Sequence, residues 1–207
     1  MNQIVGLFPT PLMRAERLLP QALVQKLVDR YAASASQANA HSAQLAHTEI
    51  LALSENSELT RAGALIMPRL VEFGELLFGE RLAWSIKEMW VNVLQTGGQQ
   101  AIHNHANSFV SGVVYLRPSH ASANTVFVKA LGGSGFVFGN THRQTSSGPF
   151  NADKWVMPDV SPGDLVLFPS HVLHEVPPNE GGQRITLSFN AIPQRLDSWG
   201  YTIGFIN

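Results

Sequence analysis

The hydrophobic period changes once along this chain, near residue 82, and that change constrains the fold more than any other feature of the sequence. Before it, apolar residues recur at helical spacing. Pro20 suits a first helical turn, and Leu23, Leu27 and Tyr31 follow four apart, with Val24 and Val28 beside them. Ile66, Leu70, Phe73 and Leu77 trace a second stripe. Pro68 lies inside that stripe, so the second helix is predicted to start or kink near Met67, and Gly79 suits its end. The small polar stretch ASASQANAHSAQ between the two stripes reads as a loop. Beyond residue 82 the segments WSIKEMWVNVL, SFVSGVVYL, NTVFVKA, SGFVFG, DLVLFPS and RITLSFNAI are short, rich in Val and Phe, and bounded by turn residues. Such a series argues an antiparallel sandwich or jelly roll. The expected fold is mainly β with N-terminal helices. A helical layer over residues 1–80 packs on a double-stranded β-helix (jelly-roll, cupin-like) core over residues 81–207, within one domain.

Charge removes several functional classes. The chain has 207 residues, of which 14% are charged, and a net charge of −1. That balance gives no electrostatic basis for binding nucleic acid or an anionic membrane surface. The longest apolar run falls far short of the ~18 residues that a membrane-spanning helix needs. MNQIVGLFPTP lacks a basic start and carries prolines where a signal peptide would be apolar, so a soluble cytoplasmic protein is expected. The stretch 131–151 holds five glycines and is expected to be a long loop acting as a lid.

There are eight histidines and no cysteine, so any metal must be held by histidine, carboxylate or amide. Four histidines fall in two places: His103 and His105 in AIHNHANSF, and His171 and His174 in FPSHVLHEV. An i, i+2 pair puts two imidazoles on one face of a strand. Two ligands from one strand end and a third from a distant strand make a compact metal site. Taken alone, His-x-His is more often two surface imidazoles, and His174 a satisfied core residue. A further feature lies ten residues beyond His174, where Arg184, Thr186, Ser188 and Asn190 share one face of RITLSFN and Ile185, Leu187 and Phe189 the other. An arginine two residues from a hydroxyl makes a clamp for a carboxylate. Metal triad and clamp together suit a metal-chelating dicarboxylate.

Five stretches, LFPTP, WVNVLQTGG, HNHANSFVSGVVYL, SPGDLVLFPSHVLHEV and RITLSFN, occur in an order and spacing that resembles a small bacterial and phage family of 2-oxoglutarate- and iron(II)-dependent oxygenases. The resemblance implies a jelly-roll core with Fe(II) held by His103, His105 and His174 as the catalytic centre. It implies that Arg184, with Thr186 and Ser188 on its strand face and the hydroxyl of Tyr115, binds 2-oxoglutarate as cosubstrate. Position 105 is His where the wider superfamily has Asp or Glu, and Asn107 is a poor replacement. Three neutral imidazoles leave a divalent site at +2 rather than +1, which favours an anionic chelator. His171 is an alternate third ligand.

The activity implied is a dioxygenase that hydroxylates a small-molecule or peptide substrate, with Trp90 and Asn92 as candidate pocket residues. Two other readings compete. Gly97, five intervening residues and His103-x-His105 match the start of the cupin pattern, but Phe109 and Val110 stand where its glutamate belongs. A three-histidine cupin-type metalloenzyme would need no arginine clamp. The other competitor is a non-catalytic jelly-roll binding module. A homodimer through the apolar helices is a further expectation.

Overall fold

The computed structural model describes residues 2–39, 42–130, 140 and 142–205. In chain order the elements are β1 (Met13–Ala15), α1 (Gln21–Tyr31), β2 (Gln37–Ala38), β3 (Ser42–His47), α2 (Ser57–Phe78), β4 (Trp84–His103), β5 (Val110–Tyr115), β6 (Val126–Val128), β7 (Lys154–Val156), β8 (Leu165–Pro169), β9 (Leu173–Val176), β10 (Arg184–Pro193), β11 (Arg195–Ser198) and β12 (Tyr201–Gly204). One antiparallel sheet runs β1-β8-β5-β10-β4-β9-β6-β7, with β3 also on β4 and β2 on β3. It is the jelly roll that the strand pattern predicts. The segment SGFVFG and the first part of the expected lid, residues 131–139, lie outside the described residues.

The 20-residue β4 belongs to both halves of the curled sheet. Residues 84–94 pair with β10, and the far end, Gln100 and His103, pairs with β9. The strand turns between these halves at Gly97, whose φ is 78°. A side chain there would have to adopt a left-handed backbone, so glycine makes the corner possible. The corner is fixed by Gly97 N–H donating to Asn179 O at 2.6 Å and Asn179 N–H to Gly98 O at 2.8 Å.

Alternation along β10 separates two environments. Ile185, Leu187 and Phe189 join Met89, Val91, Val93, Val114 and Leu167 in the main core, where Leu23, Leu27 and Tyr31 of α1 and Leu59, Ile66, Leu70 and Phe73 of α2 cover the outer face of the sheet. The helix stripes are thus taken up by this layer. Arg184, Thr186, Ser188 and Asn190 face the inside of the curl and are also buried.

Two local readings change. α2 begins at Ser57, ten residues before Met67, and passes through Pro68. Asn56 caps it by accepting from Leu59 N–H at 3.0 Å. Pro68 sits on the exposed side, so its missing N–H, worth ~3 kcal/mol in an isolated helix, is offset by the buried stripe on either side. Gly79 ends the helix with φ 70°, as predicted. The polar stretch after α1 contains β2 and the start of β3, whose Leu45 is buried against β4. Residues 1–80 therefore supply three strands as well as the helical layer. Among the described residues, no helix is long and apolar enough to cross a membrane.

Candidate active site

β4 and β9 carry the histidines. His103 is the last residue of β4 and pairs in register with His174 of β9, while His105 lies two residues beyond the strand. The His105 N–H donates to Ser170 O at 3.0 Å, which holds the short segment after β4 against the turn before β9. One nitrogen from each of the three rings lies within 4.8 Å of the others, an arrangement able to hold a metal ion. Nδ1 of His103 faces Ala101 O at 2.8 Å, and Nδ1 of His174 faces Val172 O at 3.0 Å. In both, Nδ1 carries the proton and donates, so Nε2 is left with its lone pair.

Burial keeps the three rings neutral. It is the largest cause that lowers the His174 pKa to about 3, followed by repulsion from His103. Burial likewise comes before His103 in lowering His105 to about 4, and it lowers His103 as well. Neutral imidazole is the form that binds a metal.

The other candidates fall in or beside a recess lined by the three histidines, Trp90, Asn92, Thr125, Phe168, Arg184, Thr186 and Ser188. Arg184 opens β10 and is only 5% exposed, yet among the described residues it has no carboxylate partner. Its Nη2 donates to Thr125 Oγ1 at 3.3 Å, while its Nε, also buried, has no partner. The guanidinium carbon lies 5.3 Å from the centre of the Tyr115 ring. The Tyr115 hydroxyl shares a hydrogen bond with Thr125 Oγ1 at 3.0 Å and stands behind it. Ser188 Oγ accepts from Asn92 Nδ2 at 3.0 Å, and Asn92 Oδ1 accepts from Trp90 Nε1 at 3.2 Å, which fixes the indole in the wall.

Thr125 is the residue that sequence reasoning missed. It immediately precedes β6, and only the curl of the sheet carries it to Arg184. His171 is exposed and outside the histidine cluster. Asn107 is also exposed, with φ 56°, and serves as a turn residue in the left-handed region that Asn tolerates.

A jelly roll with three clustered histidines at one wall of a recess and a buried, unpaired arginine at another is the layout of a metal-dependent oxygenase that chelates a dicarboxylate. Residues 88–190 match the family described as "Putative 2OG-Fe(II) oxygenase" and form a domain of that family. No curated protein matches the sequence. Among solved structures, HygX from Streptomyces hygroscopicus, with nickel and 2-oxoglutarate bound, has a TM-score of 0.64 at 11% identity over 89% of this chain and 83% of that one. The non-heme α-ketoglutarate-dependent epimerase SnoN from nogalamycin biosynthesis has a TM-score of 0.64 at 13% identity, covering 90% of this chain and 80% of that one. A Pseudomonas putida prolyl-4-hydroxylase gives 0.60 at 17% identity, covering 87% and 92%. At such identities the likeness is one of fold.

Proposed function

We propose that this protein is an Fe(II)- and 2-oxoglutarate-dependent dioxygenase that hydroxylates a small-molecule or peptide substrate in the cytoplasm and releases succinate and CO₂. The observation that carries the reading is the buried Arg184, without a carboxylate partner among the described residues, set in the same recess as three neutral histidines. A buried guanidinium without a counter-ion is costly, and an incoming carboxylate relieves that cost. The residues therefore fit both groups: imidazole lone pairs suit a divalent cation, and the arginine suits the far carboxylate of a dicarboxylate chelator.

His103, His105 and His174 would hold the iron, and Arg184 with Thr125 would hold the distal carboxylate of 2-oxoglutarate, backed by Tyr115. Thr186 and Ser188 line the strand between them. When bound, the iron and 2-oxoglutarate supply the oxidative decarboxylation of the cosubstrate that is coupled to substrate hydroxylation. The chain's own task is orientation and dryness. The backbone carbonyls of Ala101 and Val172 fix two imidazole tautomers, and Phe168, packed 4.8 Å from the His174 ring, excludes water from behind the cluster. Arg184 supplies a positive charge that needs no proton, so the dicarboxylate is oriented with one end on the clamp.

The lack of a carboxylate among the three histidines favours a three-histidine cupin-type enzyme as the second reading. Anaerobic calorimetry separates the two. 2-Oxoglutarate titrated into Fe(II)-loaded protein is expected to bind, with binding lost when Fe(II) is left out. Absence of binding to the loaded wild type would overturn the oxygenase reading.

A further inference from the structure

The recess is chemically polarised along β10. Of the residues that line it, Arg184 alone carries a permanent charge. From there Thr186, Ser188 and Asn190 step along the inner face, paired with Asn92, Trp90 and Glu88 of β4. Six strand steps separate Arg184 from Asn190, about 20 Å of sheet, so Glu88, which does not itself line the recess, stands just beyond the end opposite the clamp. The His105 ring lies 6.0 Å from the Trp90 ring, one step short of Glu88 on the same face of β4.

Glu88 is held as a receptor group would be. Asn190 Nδ2 donates to its Oε1 at 2.7 Å, and Asn190 Oδ1 accepts from Ser111 Oγ at 2.7 Å. Asn190 is 2% exposed and Ser111 also 2%, so the carboxylate stands on a rigid, buried base. Its Oε2 takes no hydrogen bond among the described residues, and its side chain is 30% exposed. A β-bulge places Lys87 opposite no residue of β10, and its Nζ lies 3.3 Å from the same Oε1. A partly exposed pair of this kind contributes little, so it yields to a better-placed cation. Next to the carboxylate, the half-buried Trp90 presents an aromatic wall to the recess. A carboxylate beside an indole is a receptor for a cation.

We propose that Glu88, at the rim, and Trp90, in the wall, form the substrate-recognition end of the recess and that the substrate carries an ammonium or guanidinium group that docks there. The proposal rests on the oxygenase reading in that Arg184 takes the cosubstrate and leaves this end for the substrate. The two ends then sort the two organic ligands by charge. The dianion goes to the guanidinium, and the cationic group goes to Glu88, with the histidine cluster between them. Lys87 tunes the site from outside by competing for the same carboxylate.

The test uses full-length ¹⁵N-labelled protein loaded with Zn(II), a diamagnetic stand-in, with and without 2-oxoglutarate. The Trp90 indole N–H resonance, assigned through Trp90→Phe, is followed during titration with n-butylammonium, 1-butanol and butyrate. n-Butylammonium is expected to move that resonance at concentrations roughly tenfold below those needed for the alcohol, and butyrate to be weakest. Glu88→Gln should erase the preference for the ammonium, and Lys87→Met should strengthen it, while both spectra otherwise keep the wild-type fold. Equal response to the three probes, a preference for butyrate, or a preference that survives Glu88→Gln would each overturn the proposal. 2-Oxoglutarate binding is measured calorimetrically on the same samples. Ammonium preference without 2-oxoglutarate binding would count against the oxygenase reading and for the cation site, and the reverse result would do the opposite.

Discussion

His103 and His174 face one another as a register pair across β4 and β9, with ring centres 4.2 Å apart, although 71 positions separate them in the chain. Sheet pairing therefore sets their separation, and the short segment after β4 sets only the position of His105. His174→Ala is expected to lower affinity for Fe(II), or for Co(II) as a spectroscopic substitute, by more than about 100-fold, since even losing a group that only orients a ligand costs 10–100-fold. Co(II) absorption and metal content after dialysis measure this. The His105→Ala loss should be smaller, and unchanged metal content in the His174 variant would contradict the assigned ligand set.

Among the described residues Arg184 stands buried without a counter-ion, and that arrangement has two measurable consequences of opposite sign. Arg184→Met should weaken 2-oxoglutarate binding by at least about 100-fold, the usual scale for truncating a buried charge that pairs with a ligand. The same change should leave the ligand-free fold equally stable or more stable, because an unpaired buried charge is replaced by apolar volume. Calorimetry reads the first effect and urea denaturation the second. Thr125→Val should weaken 2-oxoglutarate binding about tenfold, through loss of the hydroxyl on which Arg184 and Tyr115 converge.

Asp164 anchors the first strand to the barrel. Its carboxylate is fully buried and accepts from Arg14 Nη2 at 2.6 Å, from Arg17 N–H at 2.8 Å and from Ser161 N–H at 3.0 Å. The turn before it needs glycine, since Gly163 has φ 94° and a Cβ there would meet Leu19 O at 2.4 Å. Asp164→Ala should cost ~3 kcal/mol of stability, because it strands four donors next to β8, Arg14 Nε at 3.1 Å among them. Urea denaturation gives the value, and a loss below about 1 kcal/mol would mean that β1 is held chiefly by its ladder with β8.

Much of this architecture was legible in the sequence because it is locally encoded. The turn residues around GDLVLF and the alternation in RITLSFN announce strands by themselves, and histidines are rare enough that two tight pairs stand out. Other parts depend on partners far along the chain. The stretch Ser42–His47 offers one large apolar residue, Leu45, and becomes a strand because the edge of β4 is there to pair with it. The first turns of α2 bury Leu59 but then Ala62 and Gly63, residues too small to carry the stripe back from Ile66, so the cap at Asn56 and Leu59 were the local signs of its start. Thr125 has no local signal at all. It reaches Arg184 only through the curl of the sheet, just as Glu88 reaches the rim beside His105.

The histidine cluster also predicts how acid affects the metal-free fold. In the unfolded chain the three imidazoles titrate near 6.5, whereas in the fold burial lowers all three, His105 to about 4 and His174 to about 3. Between those values the unfolded state binds more protons, so stability rises with pH there. The contribution is fully present above about pH 6.5 and falls away as the pH drops toward the folded values, because the rings must charge inside a low-dielectric wall. Chelator-treated protein should therefore show a urea midpoint that falls steadily from pH 7 to pH 4.5, and His174→Phe should flatten that slope by removing one of the titrating groups. Metal should steepen the acid loss, since protons and metal compete for the same Nε2 lone pairs. Denaturation at several pH values, with and without Zn(II), checks both signs. A midpoint independent of pH in the metal-free wild type would mean that the rings are solvated enough to charge freely, and the dry wall behind His174 would then be wrong.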